Sequence, residues 1–116
     1  METKIDYDSE NDIIYFYSDE KNVDYSVDYD DIIVDISGNK IVGVEIMSAS
    51  EKFAGVEEEL VKIKKILESV KNSYMKVTYN QNSISIKLGF VSNLPEKTRE
   101  GILIQIPIKK EMIVSV

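Results

Sequence analysis

Histidine and cysteine are both missing from this chain, so its chemistry has to come from carboxylates, lysine, serine or tyrosine. That removes the commonest general base, the thiolate nucleophile and nearly all zinc and iron sites. Carboxylates are the abundant reactive group, with 21 Asp and Glu against 14 Lys and Arg. Asp6, Asp8, Glu10 and Asp12 alternate like the opening of a calcium loop. However, Asn11 stands where the mid-loop glycine belongs and Tyr17 where the closing bidentate glutamate belongs. A solvated turn with local Asx hydrogen bonds is the simpler reading. Asp28, Asp30 and Asp31 are candidate ligands for a hard cation, set against a turn whose charges blunt a sheet edge. Asp35 and Glu45 are candidates to meet on the outer face of one hairpin, where two close carboxylates would raise one pKa and serve acid–base chemistry. Exposed solubilising charge is the simpler account of that pair, since no nucleophile or oxyanion donor accompanies it. Seven tyrosines, Tyr15 and Tyr17 among them, suit either ordinary strand positions or a contact surface.

The elements that would position these groups are mostly strands of period two. Lys4–Asp8 alternates, and Asp12–Tyr17 is apolar on both faces after its first residue, as in a strand that is central or covered by a helix. Val23–Tyr29 reads as a short polar edge strand. Ile32–Ile36 and Ile41–Met47 flank Ser37-Gly38-Asn39-Lys40, a turn in which Gly38 or Asn39 takes positive φ. Ile32, Val34, Ile36, Val42, Val44 and Ile46 then face inward, with Gly43 on the opposite face.

Ser48-x-x-Glu51 reads as a capping box that starts a turn or two through Phe53. One long helix is expected from Val56 to about Lys71, striped by Val56, Leu60, Ile63, Leu67 and Val70. Strands resume at Tyr74–Tyr79 and Ser83–Phe90 around Asn80-Gln81-Asn82, with Met75, Val77 and Tyr79, then Ile84, Ile86 and Leu88, marking the buried faces. Leu94–Glu100 is expected to be a loop or a helical turn. Ile102, Ile104, Ile106 and Ile108 mark a penultimate strand, and Met112–Val116 a last one. Pro107 cannot donate to a ladder and places the penultimate strand at an edge. An apolar edge is a natural dimer contact, so Ile102, Ile104, Ile106 and Pro107 join Tyr15 and Tyr17 as interface candidates.

Charge divides the chain. Residues 1–55 carry 14 acidic and 4 basic side chains, and residues 56–116 carry 7 acidic and 10 basic ones. The acidic half repels phosphates, and the basic half has a single arginine, so direct nucleic-acid binding is not expected. No apolar run is long enough to span a membrane. The N-terminus lacks the apolar region of a signal peptide, and the lack of cysteine points to the cytoplasm.

Taken together, Tyr7-Asp8, Asp12-Ile13-Ile14-Tyr15-Phe16, Ile32-Ile33-Val34-Asp35, Gly38-Asn39, Ile41-Val42-Gly43-Val44-Glu45-Ile46 and Ala49-Ser50 resemble the domain of unknown function 2283 family over about residues 4–53. The resemblance implies a compact antiparallel β-rich module of unassigned function, and an antitoxin or partner-binding role. The segment Val23–Tyr29 departs from the Thr/Glu-rich stretch of that pattern.

The expected fold is α+β: a single domain of residues 1–116, with a β-meander over 1–54, a helix over 55–72 and a β extension over 73–116. About five N-terminal strands form a curved antiparallel sheet packed on one central amphipathic helix, with about four C-terminal strands extending or facing it. The expected function is a non-enzymatic, antitoxin-like interaction module without cofactor or resident metal. It would form a homodimer and mask a basic partner surface with its acidic half. The alternative is a small-ligand or divalent-metal binder, and the lowest-ranked reading is a carboxylate-dependent hydrolase.

Overall fold

The computed structural model describes residues 3–18, 22–54, 60–93 and 96–107. Five strands, β1 (Thr3–Asp8), β2 (Ile13–Ser18), β3 (Tyr25–Tyr29), β4 (Ile32–Ser37) and β5 (Lys40–Ile46), form one antiparallel sheet in the order β1-β2-β5-β4-β3. The doubly apolar β2 is internal, as expected, and the polar β3 is an edge. Ile14, Phe16, Val34, Ile36, Val44 and Ile46 line the inner face and are buried. Gly38 takes the positive φ that its turn requires, 62°.

Parity breaks at one point of β5. Asp35 pairs with Gly43 but Ile36 pairs with Ile41, so Val42 is an extra, bulged residue. The bulge sends Ile41 into the core cluster, correcting the expected inward position of Val42, which is buried outside that cluster.

A second, three-stranded antiparallel sheet follows: β6 (Val70–Tyr79), β7 (Ser83–Asn93) and β8 (Glu96–Pro107), in the order β6-β7-β8. The C-terminal strands thus form a sheet of their own and do not extend the first. Glu96–Glu100 pairs with β7 as strand, where a loop or helical turn was expected. Pro107 ends an edge strand, in accord with its missing N–H. Ile84, Ile86 and Leu88 are buried as expected, whereas Tyr79 is 46% exposed. The expected strand Met112–Val116, with Ile108, lies outside the described residues.

Helix α1 (Ala49–Phe53) is the expected turn through Phe53, and α2 (Leu60–Glu68) falls within the expected long helix but ends before Lys71. Val56 lies outside the described residues. Leu60 is exposed and Val70 already belongs to β6, so the buried stripe of α2 is Ile63, Ile66 and Leu67. The helix ends because the Ile66 carbonyl is taken by Ser69, through its N–H at 3.1 Å and its hydroxyl at 3.0 Å, and by the Ser92 hydroxyl at 3.0 Å. The chain's three phenylalanines connect the two sheets through α1. Phe16 lies 6.3 Å from Phe53, and Phe53 lies 5.1 Å, edge to face, from Phe90. Among the described residues no helix is long and apolar enough to cross a membrane.

Candidate interaction surface

On the outer face of the five-stranded sheet, the registers align side chains in rows. Asp6 lies opposite Tyr15, Tyr15 opposite Glu45, Glu45 opposite Ile33, and Ile33 opposite Asp28. With strands about 4.8 Å apart, the row runs about 19 Å. The next row is Lys4, Tyr17, Gly43, Asp35 and Ser26. Asp6, Asp28 and Ser26 are exposed, while Tyr15, Tyr17 and Ile33 are half-buried, so no described element lies across this face.

A hydroxyl–carboxylate node ties together the middle of the face. The Tyr15 hydroxyl donates to Asp35 Oδ2 at 2.5 Å and the Ser26 hydroxyl to Asp35 Oδ1 at 2.6 Å. Tyr15 also stacks on Tyr17, with centroids 4.9 Å apart and planes 14° from parallel. Gly43 is a glycine because of this node: a Cβ there would sit 2.6 Å from Tyr15 Oη and 3.0 Å from Asp35 Oδ2. Burial, and then the hydrogen bond to Asp35 and its charge, push the Tyr15 pKa well above the usual phenol range. Asp35 therefore commits both oxygens to hydroxyls, while Glu45 sits in the next row beside Tyr15. The candidates Asp35 and Glu45 thus fall in neighbouring rows, Asp35 opposite Gly43 and Glu45 opposite Ile33.

A second node lies where the β1–β2 turn meets α1. Asp12, at φ 57°, accepts the Tyr7 hydroxyl at 2.6 Å and the Ser50 N–H at 3.0 Å on Oδ1, and the Ser50 hydroxyl at 2.6 Å on Oδ2. Its carbonyl accepts the Ala49 N–H at 2.9 Å. Burial works to raise the Asp12 carboxyl, but the Ser50 and Tyr7 hydrogen bonds and the attraction of Lys64 outweigh it and hold the pKa below its ordinary value. Tyr7 is pushed upward, first by burial and then by Asp12. This corrects the expected capping box. Ser48 stands at φ 52° and makes no side-chain cap, so the α1 N-terminus is satisfied by a carboxylate 38 residues earlier in the chain.

The other acidic side chains are spread over separate local contacts. Asp8 accepts the N–H groups of Glu10 and Asn11 and the Asn11 side-chain amide, and these bonds, the Asn11 side chain foremost, lower its pKa. Asp24 holds the Gly38 N–H at 2.6 Å. Asp31 pairs with Lys52 at 3.2 Å on the surface, a contact of small energetic weight. Asp28 stands in the outer row, while Asp30 occupies a positive-φ turn position. Among the described residues, no three Asp or Glu side chains are grouped to hold a metal. The interface candidates Ile102, Ile104, Ile106 and Pro107 all fall on β8, the outer strand of its sheet. The partners Ser26, Ser50 and Tyr7 escaped the sequence reading, although Tyr7 and Ser50 both belong to the quoted motif.

Residues 4–50 match the model of a family described as Protein of unknown function (DUF2283). The matched segment starts in β1 and ends on Ser50, the residue that closes onto Asp12. A Methanosarcina mazei protein with the provisional name hypoxanthine phosphoribosyltransferase is 46% identical over 63 residues, which is 53% of this chain and 51% of that protein. The chain thus spans about half the length of that relative. An uncharacterised protein of Methanocaldococcus jannaschii is 33% identical over 104 residues, 89% of this chain and 86% of that protein. No solved structure matches the chain.

Proposed function

The chain belongs to the family of proteins of unknown function DUF2283, and from that premise we propose that it is a non-enzymatic, antitoxin-like interaction module. Its acidic sheet face docks a basic, nucleic-acid-directed surface on a partner protein. One observation carries the reading: the row Asp6, Tyr15, Glu45, Ile33, Asp28 alternates carboxylates with an aromatic and an aliphatic contact across five strands. A row of about 19 Å seats a helix about 10–12 Å in diameter. Tyrosine supplies the interface area, and the flanking charges steer a basic partner and exclude acidic ones. The Asp35 node holds Tyr15 in place before the partner arrives, which lowers the ordering cost of binding.

The name carried by the Methanosarcina relative calls for a pyrophosphate-bearing sugar substrate, and the outer face has the wrong charge for such an anion. The docking reading is favoured over the hydrolase one because each Asp35 oxygen accepts a hydroxyl within the face. Self-association belongs to the same proposal, with β8 as the pairing edge of a homodimer.

The test is affinity capture from the source cell with the full chain as bait, together with light scattering of the purified protein. A basic protein captured at low salt and released at high salt, with a scattering mass near twice the 13.2 kDa of the chain, is the expected result. Capture of no basic protein removes the docking role, and a monomeric mass removes the homodimer.

A further inference from the structure

The end of the five-stranded sheet holds a feature that the docking face does not use. Pairing of β2 with β5 stops at Tyr17 opposite Gly43. Ser18 pairs with Thr3 of β1, and the β2–β5 register does not extend to Lys40, Ile41 and Val42. The Ile41 N–H, which would otherwise be an orphan in a buried residue, donates to the Tyr79 hydroxyl of β6 at 2.9 Å. A cleft of about 270 Å3 opens between the end of the first sheet and β6. Ile41, Met75 and Val77 form its apolar floor, and Thr3, Ser18, Lys40 and Tyr79 are its polar lining. Ile41 is 5% exposed, while Lys40 and Tyr79 stand at the rim.

The Tyr79 oxygen already accepts the Ile41 N–H, so its own proton is left to donate. The Lys40 ammonium makes no ion pair among the described residues, and no described carboxylate lines the cleft. Two donors, one of them charged, therefore stand over an apolar floor.

The geometry points to a binding site for a small monocarboxylate with a short apolar body. The body rests on Ile41, Met75 and Val77, and the carboxylate oxygens receive the Tyr79 O–H and the Lys40 ammonium. Hydrogen bonds of this charge-assisted kind are about twice as strong as neutral ones. The cleft falls just below the usual size of small-molecule pockets, which restricts the ligand to about ten non-hydrogen atoms. Benzoate and hexanoate fit that description. This site is independent of the acidic face, which lies on strand rows it does not share.

The test is a backbone-amide NMR titration of the full chain with sodium benzoate, with benzamide as the neutral isostere. Benzoate should give saturable shifts centred on Lys40, Ile41 and Tyr79, with a Kd in the millimolar range expected for so small a ligand. Benzamide should bind at least about fivefold more weakly, and Lys40→Gln should weaken benzoate by about tenfold. Lys40 is exposed, so that variant keeps the fold even if Tyr79→Phe, which strands the Ile41 N–H, does not. Shifts that fail to saturate, saturation centred elsewhere, equal binding of benzamide, or an unchanged Kd in Lys40→Gln would each overturn the site.

Discussion

Asp12 and Gly43 are single residues on which several strands depend. Asp12 accepts three hydrogen bonds through its carboxylate, and its removal leaves a half-buried Tyr7 hydroxyl and the buried Ser50 without partners. Asp12→Ala should therefore destabilise the protein by roughly 2–4 kcal/mol in urea unfolding, with little change in the denaturant slope. The pH dependence follows from the lowered pKa. The folded state binds fewer protons at this site than the unfolded chain does. Its contribution is present above the unfolded pKa of about 3.9 and is lost as pH falls through the lower folded value. Acid unfolding should accordingly be shallower below about pH 4 in Asp12→Asn than in the parent protein, as read from stability measured across that range. Gly43→Ala drives a Cβ against the Tyr15 hydroxyl and should cost roughly 1–3 kcal/mol. In a Tyr15→Phe background the nearest clashing atom is gone, so the two changes together should cost less than their sum in a double-mutant cycle.

At the scale of elements, helix ends and bulges decide what could be read in advance. The strands of the first sheet were legible because period-two alternation names a face without any tertiary knowledge. The helix over residues 60–68 was legible too, but its end was not, since Leu67 and Val70 keep a helical spacing across Ser69. What stops the helix is the Ile66 carbonyl, claimed by Ser69 and by Ser92 from β7. Ser92→Ala should lower stability by roughly 1 kcal/mol, measured by thermal or urea unfolding, because Ser92 is fully buried and its hydroxyl also meets Ser69 at 2.7 Å. The cap of α1 was hidden for the same reason. Ser48 and Glu51 carry the right local pattern, but a distant aspartate with better geometry occupies the orphan N–H. The bulge at Val42 left no trace in the pattern, since Ile41 and Val42 are equally apolar.

Across the whole molecule, the candidate face emerges only from a topology that places β2 beside β5. The sequence shows acidic residues at alternate strand positions. It does not show that Asp6, Glu45 and Asp28, which come from three hairpins, fall in one row with Tyr15 and Ile33. Asp35 and Glu45 looked like a pair because both face outward on one hairpin, yet the neighbouring Tyr15 and Ser26 claim Asp35 first. The triple variant Asp6→Lys, Asp28→Lys, Glu45→Lys tests the face as a unit. Asp6 and Asp28 are exposed and tolerate substitution within about 0.5 kcal/mol, and the half-buried Glu45 costs somewhat more, so circular dichroism should keep its shape and the melting curve its cooperativity. Capture of the basic partner should fall at least tenfold, with the loss mainly in the association rate at low salt.

The line of three aromatic rings through α1 offers a practical vantage on how the halves of this protein hold together. Phenylalanine occurs nowhere else in the chain, so replacing it wholesale with a fluorinated analogue plants three reporters in a file from one sheet to the other. The reporter on Phe53 has neighbours on both sides and senses either half loosening, whereas those on Phe16 and Phe90 register only their own side. A fluorine spectrum followed through denaturant would thereby distinguish a molecule that comes apart along this seam from one that melts as a single unit.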